Sequence, residues 1–351
     1  MSKYWSDIVR AIKPYTPGEQ PQDRTYIKLN TNENPYPPSP AVLAAIAAAT
    51  DGRLRLYPDP TCAVLRTAIA RRFGREPEEV FVGNGSDELL AFVFPAFFQG
   101  DRAILFPDVT YSFFSVYAAL FRTAYRLVPL AEDFSVPIEA LRQPNGGILL
   151  ANPNAPTGRY LPLAEVRRIL ASNPDVVVVI DEAYVDFGGT SAASFIPEFP
   201  NLLIVQTFSK SRSLAGLRVG FALGQAELIE AIGRIKNSFN SYTLDRLALA
   251  GAVAAIDDEQ YFTRTRAMII ATRERISPAL ADLGFTVLPS CANFIFISHP
   301  RCPAADLFLL LRERGILVRY FPLPRIDNYL RITIGTDTEM DALLTALNEL
   351  L

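Results

Sequence analysis

The chain has 351 residues, of which 50% are hydrophobic, and its formal net charge is −3 at pH 7. This length and composition predict a soluble globular protein with a large core and two subdomains around one site. There is no basic excess to neutralise a nucleic-acid backbone and no apolar stretch long enough to span a bilayer, so neither nucleic acid nor a membrane is an expected partner.

Cysteine and histidine usage narrows the possible chemistry. Cys62, Cys291 and Cys302 form no C-x-x-C pair, so we expect packing residues in a reducing compartment. His299 is the only histidine and adjoins Pro300, which excludes a site of several histidines and disfavours a Ser-His-Asp mechanism. We therefore expect no metal site, proton transfer by lysine and carboxylates, and, without a secretory h-region near the N-terminus, a cytoplasmic location.

The first two thirds of the sequence predict an arm followed by a large α/β domain. Residues 1–50 are rich in proline and polar side chains before a helical pattern at 41–49, which indicates an N-terminal arm and part of a small domain. Residues 51–245 alternate apolar runs with helical patterns, as expected for a mostly parallel seven-stranded sheet flanked by helices. The runs are Val80–Val82, Arg102–Phe106, Tyr125–Leu130, Ile148–Ala151, Val176–Ile180, Leu202–Gln206 and Val219–Leu223.

The last third has a different pattern. Long helices are predicted at 244–256 and 261–283, followed by short strands and a helix at 304–314. We interpret residues 246–351 as a smaller α+β domain.

Lys210 lies in a run of hydroxyl side chains and glycines, Thr207–Gly220, directly after a predicted strand. A lysine amine attacks a carbonyl only when it is unprotonated, so a Schiff-base lysine needs surroundings that lower its pKa. Thr207, Ser209 and Arg218 could bind a phosphate on the electrophile, and an aldehyde that carries a phosphate suggests pyridoxal phosphate. The alternative is a solvated lysine in a serine-rich loop.

A second phosphate-binding candidate is the segment Gly83–Glu88, between the first strand of the large domain and a helix. Unpaired amides at a helix N-terminus bind phosphate well, which makes Gly85, Ser86 and Asp87 cofactor-binding candidates. In the alternative interpretation Ser86 is only the N-cap of the helix.

Asp181 and Tyr184 follow the most hydrophobic predicted strand, and ligand groups lie at the carboxyl ends of parallel strands. A carboxylate beside a pyridine nitrogen keeps that nitrogen protonated, so the ring can accept electrons. Tyr184 could donate to the phenolic oxygen of the ring. The alternative for Asp181 is a cap of the next helix.

Arg331 lies in the apolar run Leu330–Ile334. Its guanidinium could bind an amino-acid carboxylate in bidentate fashion. The alternative is an exposed arginine on a strand.

The run Ser209–Gly220 resembles the S-K-x-x-x-L-A-G-L-R-x-G segment that holds the cofactor lysine in fold-type I aminotransferases. With Lys13–Pro21, Lys28–Pro40 and Arg319–Phe321, the resemblance narrows to the histidinol-phosphate aminotransferases and extends from about Ile12 to the C-terminus. It implies a pyridoxal-phosphate enzyme of histidine biosynthesis that exchanges amino groups between histidinol phosphate and 2-oxoglutarate, with glutamate as a product.

The resemblance also implies roles for individual residues. Lys210 would bind the cofactor and move the substrate Cα proton, and Tyr111, in a similar P-x-x-T-Y segment, would stack on the pyridine ring. Tyr57 would reach the cofactor phosphate of a partner subunit, which implies a homodimer with shared active sites. The implied substrate-binding residues are Tyr15, Asn32, Asn34, Tyr36, Arg319 and Arg331.

The loop Asn152–Gly158 departs from the family pattern N-P-x-N-P-T-G at one position. Ala155 replaces the asparagine that usually binds the phenolic oxygen, and an alanine cannot donate that bond. Either Tyr184 carries more of this role or Asn154 substitutes for the missing amide.

Other functions remain open on the sequence alone. An aromatic-amino-acid aminotransferase or an enzyme resembling threonine-phosphate decarboxylase would need nearly the same catalytic residues. A non-catalytic phosphate-binding module anchored at Gly83–Ser86 would need neither Lys210 nor Asp181.

Overall fold

The computed structural model of the protein describes residues 2–351, and helices and strands alternate along most of its length. The helices are α1 (Asp7–Ala11), α2 (Pro40–Ala49), α3 (Ala63–Phe73), α4 (Gly85–Phe97), α5 (Phe113–Leu120), α6 (Leu163–Ser172), α7 (Ala226–Phe239), α8 (Arg246–Asp257), α9 (Glu259–Asp282), α10 (Ala304–Glu313) and α11 (Asp337–Leu350). The strands are β1 (Ile27–Lys28), β2 (Val80–Asn84), β3 (Ile104–Pro107), β4 (Tyr125–Val128), β5 (Ile148–Ala151), β6 (Val178–Asp181), β7 (Leu202–Thr207), β8 (Val219–Gly224), β9 (Thr286–Val287), β10 (Phe294–Ser298), β11 (Ile316–Leu317), β12 (Arg319–Tyr320) and β13 (Leu330–Thr333).

A seven-stranded sheet forms the centre of the large part of the chain, in the order β2-β8-β7-β6-β5-β3-β4. Strands β3 to β7 pair in parallel, whereas β8 is antiparallel to both of its neighbours. Every residue of β6, β7 and β8 is buried, because helices cover both faces of the sheet. The predicted α/β class and the mostly parallel sheet are confirmed.

Polar residues extend several strands beyond their predicted apolar runs. Asp181 is the last residue of β6 and pairs with Val205, and Thr207 is the last residue of β7 and pairs with Gly220. Ladder hydrogen bonds join backbone groups, so they continue past the point where hydrophobicity ends. This extension keeps both polar side chains at the rigid carboxyl end of the sheet.

The helix after β2 begins earlier than its apolar pattern indicates. α4 starts at Gly85 with Asn84 as its N-cap residue, and Glu88 Oε2 accepts a hydrogen bond of 2.7 Å from the Asn84 amide. Ser86 is therefore inside the first turn, and the alternative in which it serves as the N-cap is wrong.

The small part of the chain contains an antiparallel sheet with the order β12-β13-β10-β9, covered by α9, α10 and α11. β1 pairs in parallel with β11, so the N-terminal segment contacts this part of the chain. The predicted division at residue 245 stays a prediction. We propose a later boundary, because Ala248, Ala252 and Ile256 of α8 pack into the core of the large sheet.

No helix within residues 2–351 combines the length and the apolar character that crossing a bilayer requires. Within the same residues, histidine, cysteine and acidic side chains form no group of three that is suited to hold a metal ion.

Candidate active site

A cavity of about 430 Å³ opens at the carboxyl ends of β6 and β7, between the large sheet and the antiparallel sheet. The structure brings most of the predicted site residues together in its wall. These are Tyr15, Asn32, Ser86, Asp87, Tyr111, Asp181, Tyr184, Thr207, Ser209, Lys210, Arg218, Arg319 and Arg331.

Lys210 follows β7 and is held in the cavity wall by the backbone of the N-terminal segment. Its Nζ donates a hydrogen bond of 3.2 Å to the carbonyl oxygen of Thr31. Burial, reinforced by the positive charge of Arg331, lowers the pKa of Lys210 to about 8. At neutral pH a larger share of this amine is therefore unprotonated than for an exposed lysine, which suits it for attack on a carbonyl.

Asp181 is a buried carboxylate without a cationic partner. Only 5% of the residue is exposed, and no lysine or arginine of residues 2–351 forms an ion pair with it. Its Oδ1 accepts a hydrogen bond of 3.1 Å from the Ala183 amide, and burial raises the pKa of Asp181 to about 7. The protonated ring nitrogen of pyridoxal phosphate would supply the missing positive charge, so the site fits this cofactor. Asp181 does not cap the next helical turn, whose N-cap is Tyr184.

Hydroxyl and guanidinium groups gather at one end of the cavity. The Thr207 hydroxyl donates to Ser209 Oγ at 3.0 Å, and Arg218 Nη1 lies 3.5 Å from the same oxygen. Ser86 lies in the first turn of α4, where backbone amides lack helical partners. Donors from three segments thus converge where a phosphate would bind.

Two glycines allow these segments to approach each other. Gly85 has φ +77°, and a Cβ on it would lie 2.6 Å from Arg218 Nη2. A Cβ on Gly220 of β8 would lie 2.5 Å from both the Gly85 carbonyl carbon and the Ser86 amide nitrogen. Because these contacts are with backbone atoms, a larger residue at 220 would displace the start of α4.

Gly220→Ala is expected to destabilise the fold by about 2 to 3 kcal/mol, as overpacking does, and to weaken pyridoxal phosphate binding roughly tenfold or more. Thermal unfolding and a cofactor titration measure both effects. Gly216→Ala is the matched control, since Gly216 is in the same region and nothing lies within 4 Å of its Cβ position. Equal losses in both variants would contradict the proposed role of close packing at Gly220.

Tyr111 and Asp87 are joined in the cavity wall. The Tyr111 hydroxyl donates a hydrogen bond of 2.7 Å to Asp87 Oδ1, and Arg218 Nη2 lies 3.3 Å from Asp87 Oδ2. Burial holds the pKa of Tyr111 well above its usual value, so this hydroxyl stays protonated. The hydrogen bond fixes the position of the aromatic ring, and its stacking on the cofactor stays a prediction.

Asn154 does not reach the cavity, so the interpretation in which it replaces the missing amide at position 155 is wrong. Its side-chain nitrogen donates to the Val109 carbonyl and to Thr157 Oγ1, each at 3.0 Å. Its oxygen accepts a hydrogen bond of 2.8 Å from Thr110. The amide of Asn154 is therefore engaged within its own loop and the neighbouring one.

Tyr184 and Ala155 do reach the cavity, and Ala155 contributes only a methyl group there. The Tyr184 hydroxyl accepts a hydrogen bond of 2.9 Å from Asn32 Nδ2. Asn32 is thus in direct contact with Tyr184.

Two arginines lie on the side of the cavity formed by the small part of the chain. Arg331 Nη2 donates to the Asn30 carbonyl at 3.0 Å, while its buried Nε has no partner within residues 2–351. A buried donor without a partner is costly, so Arg331 is ready to bind an anionic substrate group. Arg319 instead donates to the carbonyl oxygens of Thr16 and Pro17, at 2.9 and 3.2 Å, and so holds the arm near the cavity.

Besides Asn154, four predicted site residues lie outside the cavity wall. Asn34 donates to the carbonyl oxygens of Lys210 and Ser211 and supports the lysine loop, and Tyr36 packs against the core of the small part. Both substrate-binding predictions are therefore corrected to supporting positions. Gly85 is behind Arg218, as described above, and Tyr57 is 79% exposed, so it does not contact this cavity within one chain.

Some residues of the cavity wall are not among the predicted site residues. Glu33 lines the cavity and is held by hydrogen bonds from Lys28 and Thr31. Burial by itself would raise the pKa of Glu33, but these hydrogen bonds outweigh that effect and keep the pKa below its usual value. Phe113 also lines the cavity and stacks on Tyr15 with 4.3 Å between the ring centroids. The position of Glu33 between Asn32 and Asn34 is a signal that could have identified it.

Comparison with known proteins shows similarity over the whole chain. The aminotransferase class I and II family model matches residues 24–347. Histidinol-phosphate aminotransferase 1 of Methylococcus capsulatus is 58% identical over 350 residues, which cover 100% of this chain and 98% of that relative. The histidinol-phosphate aminotransferase of Clostridium acetobutylicum is 57% identical over 349 residues, 99% of each protein. The crystal structure of histidinol-phosphate aminotransferase from Sinorhizobium meliloti in complex with pyridoxal-5'-phosphate has a TM-score of 0.90 at 26% identity, covering 100% of this chain and 99% of that chain.

Proposed function

The chain belongs to the class I and II aminotransferases and, within them, to the histidinol-phosphate aminotransferases, and on this premise we propose that it converts histidinol phosphate and 2-oxoglutarate to imidazole acetol phosphate and glutamate. This reaction belongs to histidine biosynthesis. The observation that carries the proposal is the presence of Lys210 and the unpaired Asp181 in one cavity of a chain with full-length similarity to this family.

Different residues of the cavity would bind different parts of pyridoxal phosphate. Ser86, Thr207, Ser209 and Arg218 would hold the phosphate, and Asp181 would hold the ring nitrogen in its protonated form. When bound, the cofactor supplies an aldehyde for a lysine amine and a ring that withdraws electrons from the substrate Cα. Fixing the phosphate lets binding energy orient the reacting carbon.

Lys210 is the group that moves protons. With a pKa of about 8, its Nζ can hold a proton near neutral pH and can also release it. The amine takes the proton from the substrate Cα, and the carbonyl oxygen of Thr31 supports it from the cavity wall. Tyr111 and Tyr184 stay protonated because burial raises the pKa of each, so they serve as hydrogen-bond donors and not as bases.

Arg331 would bind the carboxylate of glutamate, for which its unpartnered Nε supplies a donor. Histidinol phosphate has a phosphate and no carboxylate, so the same region must also accept that anion. Arg319 and Tyr15 line this side of the cavity and are the further groups that we propose contact the substrate.

The substrate proposal is tested by half-reactions of the purified protein loaded with pyridoxal phosphate. Histidinol phosphate is expected to convert the visible absorption of the cofactor faster than phenylalanine or tyrosine. Phosphothreonine is expected to produce no carbon dioxide, which separates this enzyme from a phosphothreonine decarboxylase. Faster conversion by phenylalanine would contradict the substrate, and a protein that takes up no cofactor would contradict the enzyme class.

We also propose a homodimer in which Tyr57 completes the partner's site. Tyr57 stacks on Tyr242 with 4.5 Å between the ring centroids, although it is itself 79% exposed. The two segments that contain Tyr57 and Tyr242 expose further apolar side chains, namely Leu54, Leu56 and Phe239. Phe239 is 78% exposed. Apolar side chains exposed in this number indicate a protein interface.

Mixing two inactive variants tests the shared site. Lys210→Ala and Tyr57→Ala subunits are each expected to be inactive or nearly so as homodimers. A hybrid dimer has one site with both residues intact, so an equal mixture after subunit exchange should regain about a quarter of the wild-type activity. A mixture that stays inactive, or a monomer in sedimentation, would contradict the dimer proposal.

A cytoplasmic location is part of the same proposal. The three cysteines are free thiols in the structure, and Cys62 is buried in the core of the large part. Free thiols are typical of a reducing compartment.

A further inference from the structure

We propose that Asn32 is a positioning residue that fixes the Tyr184 hydroxyl as a hydrogen-bond donor toward the bound cofactor. This inference rests on the proposed function, because it requires pyridoxal phosphate in the cavity. It goes beyond the substrate-binding role that the resemblance implies for Asn32, since the residue acts here through a tyrosine.

The side-chain amide of Asn32 has one fixed orientation. Asn32 is 1% exposed, and its Oδ1 accepts a hydrogen bond of 3.1 Å from Thr333 Oγ1. The same Thr333 oxygen accepts a bond of 2.9 Å from the Asn32 backbone amide. Within residues 2–351 the Thr333 hydroxyl donates to no other acceptor, so rotating the amide by half a turn would leave this buried proton without a partner. The orientation in which the NH₂ group points to Tyr184, whose hydroxyl oxygen lies 2.9 Å away, is therefore favoured.

This contact determines what the Tyr184 hydroxyl can do. A phenolic hydroxyl has one proton to donate, and its oxygen here already accepts a bond from Asn32. Within residues 2–351 no protein group accepts the Tyr184 proton, so that proton is free to point into the cavity. Burial raises the pKa of Tyr184, which keeps the proton in place. When a hydroxyl oxygen accepts a hydrogen bond, its own O–H group becomes a stronger donor.

Apolar residues pack beside Tyr184, so the Tyr184 hydroxyl is the hydrogen-bond donor on this side of the cavity. Ala155 packs with Ala292 and Phe294 in an apolar cluster beside Tyr184 and offers no polar atom. The Tyr184 ring meets the Phe294 ring edge-on, with 5.0 Å between centroids, so its position is fixed by packing. The orientation of the hydroxyl proton is then set by Asn32.

The backbone explains why asparagine suits this position. Asn32 has φ +56°, in the left-handed region, which asparagine tolerates better than most residues. The Asn32 carbonyl also accepts a hydrogen bond of 3.0 Å from Asn293. Asn32→Gly is the appropriate truncation, because glycine keeps this backbone conformation without strain.

The test follows the visible absorption of the loaded holoenzyme as a function of pH. A hydrogen bond from Tyr184 stabilises negative charge on the phenolic oxygen of the cofactor. That oxygen then stabilises the proton on Lys210 Nζ less, so the pKa of this proton is lower. Losing the bond should raise the pKa read from the absorption change by about one pH unit, which is the worth of roughly one hydrogen bond. Asn32→Gly should show this rise. Asn32→Asp should show at least as large a rise, because a carboxylate accepts the Tyr184 proton and turns it away from the cavity.

A double-mutant cycle separates positioning from a general structural effect. In a Tyr184→Phe background, Asn32→Gly should not raise the absorption pKa further, because the hydroxyl is already absent. An unchanged pKa in folded Asn32→Gly protein, or an equal rise in the Tyr184→Phe background, would overturn the proposal. Protein that shows no visible cofactor band in the wild type would instead contradict the proposed function.

Discussion

Lys210→Ala is expected to lower the turnover of histidinol phosphate at least about 10⁴-fold, since it removes both the amine that binds the cofactor and the group that carries the Cα proton. The variant should still bind pyridoxal phosphate through the phosphate-binding residues, but borohydride should not attach the cofactor to the protein. Turnover assays and mass measurement after borohydride treatment check both results.

Two controls define what the loss at position 210 means. Lys210→Arg keeps a positive charge in the cavity but cannot form the Schiff base, so it should be as inactive as the alanine variant. Lys28→Ala removes a lysine that pairs with Glu33 near the same cavity, and it should retain most of the activity. Substantial turnover in Lys210→Ala would remove the proposed mechanism.

Asp181→Asn is expected to lower the rate of the half-reaction about 10²- to 10³-fold, as loss of a buried group that stabilises transition-state charge does. Asparagine keeps an oxygen that can accept the hydrogen bond from the Ala183 amide, so the local backbone should be preserved. What is lost is the negative charge that stabilises a protonated ring nitrogen. Stopped-flow absorption with histidinol phosphate measures the effect.

Glu182→Gln is the matched control for Asp181. Glu182 is the next residue, is equally buried, and has a pKa that burial raises to about 7. Its carboxylate is bound by Ser191, the Ala192 amide and Gln206, outside the cavity wall. Glu182→Gln should therefore keep most of the activity. Equal losses at 181 and 182 would indicate that burial of charge, and not contact with the ring nitrogen, explains the result.

The architecture and the site residues at the ends of strands could be predicted from the sequence. Lys210 and Asp181 each follow a long apolar run, and the parallel sheet brings the ends of such runs to one edge. Their convergence in one cavity could therefore be predicted from local pattern and topology together.

Side-chain orientations in loops could not be predicted in the same way. Asn154 turns away from the cavity because its partners, Val109 and Thr110, belong to a different loop that local sequence does not pair with it. The packing of α8 on the large sheet likewise depends on α2 and α3, which are far away in the sequence. The contact between Asn32 and Tyr184 joins residues that no spacing rule connects.

The N-terminal segment from Asn30 to Asn34 connects the two halves of the site. On one side the Asn30 carbonyl accepts from Arg331, and on the other side the Thr31 carbonyl accepts from Lys210. A carboxylate that draws Arg331 toward itself would loosen the first of these contacts and pull on the peptide unit that supports the amine. Binding of a substrate at Arg331 would therefore be felt at the reactive nitrogen through two neighbouring carbonyl groups.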